Sequence, residues 1–164
     1  MKKIVLFAVM IIAAVSFAQE SKKITWDGGV ELAMPMGDFA DAAGMGIGIS
    51  AKIYYPVKPE IDITGRLGYI YISGEDDDWS FSEIPFMFGG RYKFPNKFYG
   101  LFEMGFTNFT VNWDGGDDDE TELTFAFGGG YMHEKFDFSA FINSVQTEGD
   151  SANHFGIRVG YKFM

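Results

Sequence analysis

The chain is 164 residues long, carries a formal net charge of −10 and has no cysteine. Its acidity argues against nucleic acid as a partner, because phosphate binding needs a basic surface, and disulfides are excluded as the source of stability. Aromatic residues make up 18% of the chain and glycines number 21, a composition that suits pleated sheet and close backbone approach.

Residues 1–18 open with Lys2 and Lys3, continue through an apolar run from Ile4 and end in Ser16-Phe17-Ala18. That is the charged, apolar, small-x-small order of a secretory signal peptide. The run is too short for a spanning helix, which needs about 20 residues. Residues 1–18 are therefore expected to be a cleaved signal, and residues 19–164 one domain.

Beyond this segment no 3.6-residue apolar period is sustained; alternation with period two recurs instead. It predicts strands near 24–34, 45–56, 61–73, 83–94, 98–113, 121–132, 135–146 and 154–163. In the first, Trp26, Val30 and Leu32 oppose Asp27, Gly29 and Glu31. In the second, Ile47, Ile49, Ala51 and Ile53 oppose Gly48, Ser50, Lys52 and Tyr54. The third sets Ile63, Leu67 and Tyr69 against Asp62, Thr64 and Arg66, and the fourth Ile84, Phe86 and Tyr92 against Met87, Arg91 and Lys93. The fifth changes parity, with Phe102, Met104 and Phe106 on one face but Phe109, Val111 and Trp113 on the other, which predicts a β-bulge near Thr107 and Asn108. The sixth places Leu123, Phe125 and Phe127 opposite Glu122 and Thr124. The seventh places Phe136, Phe138 and Ile142 opposite Asp137, Ser139 and Asn143. The last is the most regular: Phe155, Ile157, Val159, Tyr161 and Phe163 alternate with Gly156, Arg158, Gly160 and Lys162.

Short connections (57–60, 95–97, 133–134) alternate with longer polar ones (35–44, 74–82, 114–120, 146–152), as in an up-and-down transmembrane barrel. The fold class expected is all-β, an eight-stranded antiparallel up-and-down transmembrane β-barrel. Eight strands enclose room for side chains or one small ligand only, so the large aromatic face must point outward to lipid. A strand of about ten residues tilted by about 45° then spans roughly 23 Å, the height of the apolar band. Interface girdles are expected from Tyr55, Tyr92, Phe94, Tyr99, Tyr131, Tyr161 and Phe163 at the short-turn end, and from Tyr71, Phe81 and Trp113 at the other.

The inward face carries acids and bases in equal number, and buried charges persist only when paired. An interior ion-pair network is therefore expected from Glu31, Lys52, Asp62, Arg66, Arg91, Glu103, Glu122 and Arg158. Asp27, Lys93, Asp137 and Lys162 lie near strand ends, where either pairing or hydration would satisfy them.

These residues resemble the small eight-stranded outer-membrane β-barrel proteins of Gram-negative bacteria across the whole of residues 19–164. The most specific element is Phe155-Gly-Ile-Arg-Val-Gly-Tyr-Lys-Phe163, which looks like the aromatic-ended signal read by the barrel-assembly machinery, although here Met164 follows it. Glu31-Leu-Ala-Met-Pro-Met-Gly-Asp-Phe39 looks like the first strand and loop of that family. The resemblance implies the outer membrane as location, with lipid, lipopolysaccharide and the assembly machinery as partners, a monomer, and roles in adhesion, envelope integrity or small-solute passage.

Chemistry-bearing clusters are few. Two acidic runs, Glu75-Asp76-Asp77-Asp78 and Asp117-Asp118-Asp119-Glu120, fall in expected loops; they are weak candidates for a divalent cation, lacking the spacing of a dedicated calcium loop. His133 and His154 fall at opposite ends of the barrel, and His154 lies near Ser151 without a third catalytic group. Gly128-Gly129-Gly130 precedes no helix and so is no phosphate loop. No catalytic residue and no cofactor is expected. Arg at Phe125 or Ile157 should cost about 2 to 4 kcal/mol in lipid, whereas Gly128→Ser on the inner face should be mild. The rival expectations are a narrow porin-like channel and a soluble lipocalin-like binding barrel.

Overall fold

The computed structural model describes residues 23–74, 79–113, 115–147 and 150–163. The expected signal segment and the run Glu75–Asp78 lie outside the described residues. Eight antiparallel strands, each hydrogen-bonded to its sequence neighbours, form a closed barrel. They are β1 (Thr25–Met36), β2 (Ala43–Lys58), β3 (Ile61–Gly74), β4 (Trp79–Lys93), β5 (Phe98–Trp113), β6 (Gly116–His133), β7 (Phe136–Thr147) and β8 (Asp150–Lys162). The most regular strand closes the ring, with β8 pairing β1 in a register that sets Val30 against Val159 and Glu31 against Arg158. Closure leaves no unpaired edge, and no lipid-exposed backbone polar group can find water.

The aromatic face points outward. Ile49, Leu67, Phe102 and Phe127 are each more than half exposed, whereas Lys52, Arg66, Glu103 and Arg158 on the opposite parity are at most 2% exposed. That distribution is inverted relative to a soluble barrel, and only a lipid surround makes it favourable.

Four expectations are corrected. First, there is no bulge near Thr107: the ladders of β5 with β4 and β6 run without a register shift from Trp113 to Tyr99. Phe109 and Val111 keep their parity and simply face inward. Second, most of the expected long loops are ladder. The β5–β6 pairing continues to Trp113 and Gly116, β7–β8 to Thr147 and Asp150, and β4 begins at Trp79. Apolar alternation stops where lipid stops, but backbone groups still gain by pairing, so the strands outrun the pattern that reveals them. Third, Tyr99 and Phe81 are buried at 4% and 8% and belong to the lumen, not to the girdles. Fourth, a Cβ on Gly128 would sit 2.2 Å from the Ala140 carbonyl oxygen, so serine there meets backbone and cannot be mild.

Candidate functional site

A closed sheet gives every strand an inward row, and the heights at which those rows meet divide the lumen into layers. At the short-turn end, Arg91 Nε donates to Asp62 Oδ2 at 2.7 Å and its Nη1 to Asp137 Oδ2 at 3.2 Å. Lys93 Nζ donates to Asp62 Oδ1 at 2.8 Å. Tyr99 gives its hydroxyl proton to Asp137 Oδ1 at 2.5 Å, and Tyr54 gives its own to Asp27 Oδ2 at 2.6 Å. The Arg91 guanidinium lies 3.8 Å from the Tyr54 ring centroid, which links the Asp62–Asp137 pair to Asp27 through a cation–π contact.

The middle layer is denser in charge. Arg66 pairs with Glu31 at 3.3 Å and with Glu103 at 3.1 Å, and Lys52 pairs with Glu103 at 3.4 Å. Arg158 bonds Asp27 and approaches Glu31 at 3.4 Å. Ser50 donates to Glu31 Oε1 at 2.5 Å while accepting from Arg158 Nε at 2.7 Å. Thr64 donates to Glu103 Oε1 at 3.1 Å. Phe141 fills the remaining space under Arg66, whose guanidinium stands 4.8 Å from its ring, beside Met87 and Ala126. The contacts in this layer join β1, β2, β3, β5, β7 and β8, so charged side chains cross the lumen at several angles.

Seven of the eight expected network residues meet in these two layers: Glu31, Lys52, Asp62, Arg66, Arg91, Glu103 and Arg158. Glu122 does not. It is half-buried, level with Thr107, and forms no ion pair among the described residues, because it stands above the layer where the cations end. In its place the sequence reading overlooked Glu83, fully buried on β4, whose Oε1 lies 3.6 Å from His154 Nδ1 on β8. In a ring of eight, β4 and β8 are opposite staves, so this contact bridges the diameter. Asn143, beside His154 in the ladder, is buried in the same layer, and Thr124 donates to Thr107 at 2.8 Å nearby. Inward parity alone would have identified Glu83 and His154; what hid them was their position at the rims of the expected segments.

Above this polar layer the lumen turns apolar. Ala33, Ala43, Ile70, Ile72, Phe81, Phe109, Val145 and Ala152 form one buried cluster. Phe39 closes it from a 3-10 turn, Gly37–Asp41, with its ring 5.3 Å from Phe81 and 6.0 Å from Phe109. Gly37 starts that turn with φ of +62°, a conformation that glycine adopts without a Cβ penalty. The segment that resembled a family loop thus carries a stopper.

The remaining site expectations separate in space. His133 is exposed at the short-turn end, far from the buried His154. Ser151 and His154 lie at opposite parities of β8, half-buried and buried respectively, so the hydroxyl and the imidazole face different sides of the sheet. Asp117–Glu120 are strand residues of β6 paired with β5 and exposed. Successive strand residues point to opposite faces, which divides the run and prevents its carboxylates from converging. Within the run, Asp119 Oδ2 accepts from Asn108 Nδ2 at 3.3 Å. No cluster of three metal-ligating side chains occurs among the described residues.

Comparison with known proteins places this geometry in context. The family model described as outer membrane protein beta-barrel domain matches residues 4–163. No curated protein gives a significant match. Among solved structures, Ail, the attachment invasion locus protein of Yersinia pestis, is similar at 14% identity and a TM-score of 0.62, covering 85% of this chain and 97% of that one. The same protein in complex with the heparin analogue sucrose octasulfate is similar at 16% identity and a TM-score of 0.59, with the same coverage. Neisserial surface protein A is similar at 14% identity and a TM-score of 0.54, covering 85% of this chain and 97% of that one.

Proposed function

We propose, from the premise that this chain belongs to the outer membrane protein beta-barrel domain family and lies in the outer membrane, that it is a plugged, non-enzymatic barrel with a structural or surface-interaction role. The observation that carries the reading is the filling of the lumen from side to side. Two layers of crossing ion pairs, the close approach of Glu83 and His154, and the apolar stopper around Phe39, Phe81 and Phe109 occupy the lumen among the described residues with side chains from opposite walls. Single-channel recording in planar bilayers tests it: the wild-type barrel gives no discrete conductance steps, and regular steps would establish the narrow porin-like channel instead.

The working surface is then the end where strands project beyond the membrane. Its β5–β6 hairpin carries Asp117, Asp118, Asp119 and Glu120 in exposed positions. Such a surface repels polyanions, in contrast to Ail, which has been crystallised with a sulfated heparin analogue. Cationic partners, or lipopolysaccharide phosphates bridged by divalent cations, suit it better. The barrel acts as a monomer delivered by the assembly machinery through β8. Retention on immobilised heparin at physiological salt would overturn this surface assignment.

A further inference from the structure

Outward positions on a lipid-facing barrel are mostly filled by large side chains, and the outward glycines Gly28, Gly65, Gly90, Gly100 and Gly129 interrupt that surface. Gly90 on β4 and Gly100 on β5 both fall at outward positions near the short-turn end. They floor a cleft of about 580 Å³ walled by Ile61, Tyr92, Phe102 and Phe127. Its lining is almost wholly apolar. A Cβ built on Gly100 meets nothing within 4 Å, and one on Gly90 meets only the Asp62 carbonyl oxygen at 3.4 Å. Neither glycine is demanded by a turn or by a close strand, unlike Gly128. The opening therefore belongs to the outer surface itself and is not a by-product of sheet packing.

We propose that this cleft seats one acyl chain of an anionic phospholipid of the periplasmic leaflet, with its headgroup phosphate at Lys97. The short turns of such barrels lie on the periplasmic side, so a cleft that begins at the Tyr92–Gly100 level opens to that leaflet and not to lipopolysaccharide. Lys97 stands in the turn directly beneath it and is exposed. That turn is held in place by Phe94 N–H donating to the Phe98 carbonyl at 2.8 Å and Met132 N–H donating to the Lys97 carbonyl at 3.0 Å. The neighbouring cation, Lys93, is engaged by Asp62, whereas Lys97 is exposed in the turn that joins the two glycine-bearing strands; Lys58, exposed and paired with Ile61, stands at the far wall of the cleft. A second copy of the chain is a poorer occupant, because a two-fold contact would lay concave surface on concave surface. A flexible acyl chain fills a groove of this shape, and its contact with the aromatic walls is the ordinary dispersion gain of close packing. The inference rests on the membrane placement and is independent of whether the lumen conducts.

The test uses the full barrel folded into nanodiscs of mixed phosphatidylethanolamine and phosphatidylglycerol, released into mild detergent and weighed by native mass spectrometry. Wild type is expected to keep one phospholipid, enriched in phosphatidylglycerol by about fivefold over the bulk mixture, the preference one lysine confers at an anionic surface. Gly100→Leu fills the cleft without touching the backbone and loses the adduct, while its unchanged heat-modifiable gel migration shows that the barrel is intact. Lys97→Gln keeps an adduct but loses the headgroup preference. A wild-type barrel without lipid, or with a second protein copy in its place, overturns the proposal. Equal lipid retention by Gly100→Leu does the same, and an unchanged headgroup preference in Lys97→Gln overturns the role of Lys97.

Discussion

The two halves of the lumen are lined by the same parity of the same strands, yet they are closed by opposite chemistry. Toward the short turns the filling is ionic, built on Arg66, Arg91 and Arg158; toward the projecting hairpins it is apolar, built on Ile70, Ile72, Phe81 and Phe109. The ionic half has to be complete, since each buried charge is costly without its partners. The apolar half has to fit by shape alone, and it adds Phe39 from outside the sheet. One architecture therefore contains a region specified by pairing and a region specified by packing, separated by the Glu83–His154 layer.

The largest expected effect breaks the ionic half. Arg66→Ala leaves Glu31 and Glu103 short of a partner in a buried layer and is expected to cost about 3 to 5 kcal/mol, read as a fall in the urea midpoint for unfolding from lipid vesicles. Replacing Arg66, Lys52, Glu31 and Glu103 together with apolar residues of similar volume, which leaves Arg158 paired with Asp27, should recover much of that loss, and failure to recover would mean that pairing is not what specifies this region. The packing half responds next: Phe109→Ala removes the centre of the stopper at about 3 kcal/mol, with no rescue from any charge change. Ile157→Arg, on the outer face, is expected to cost about 2 to 4 kcal/mol, and an equal cost for arginine at an inward position would undo the inside–outside assignment. Gly128→Ser follows at about 1 to 3 kcal/mol through its clash with the Ala140 carbonyl; a heat-modifiable gel as sharp as wild type, with an unshifted urea midpoint, would show that the sheet yields there. Smallest is Asp118→Asn on the β5–β6 hairpin, within about 0.5 kcal/mol, measured by the same titration.

How far the lumen was legible depended on which signal each residue carried. Arg66 and Arg158 sit in the middle of long alternating runs, so their direction followed from parity and their pairing from the cost of burying charge. Phe109 and Val111 misled because apolarity was equated with lipid; a lumen that is itself apolar near one end reverses that inference, and an unbroken parity was misread as a bulge. Tyr99 and Phe81 misled in the same manner: an aromatic side chain near a strand end serves an interface or a lumen equally well. Glu122 has the right parity at the wrong height, and height depends on strand stagger, which no local pattern encodes. Asp117–Glu120 looked like a loop because charge replaces alternation there, although the ladder continues.

By itself the sequence determined the architecture: eight alternating segments, joined by three short turns and four longer polar connections, have one face too large and aromatic for any interior, and period two is a strictly local consequence of the pleat. Only the closed tertiary structure decided which inward residues meet. Glu83 finds His154 across the diameter, and Phe39 finds Phe81 and Phe109, because the register of all eight strands together sets the height of every side chain around the ring.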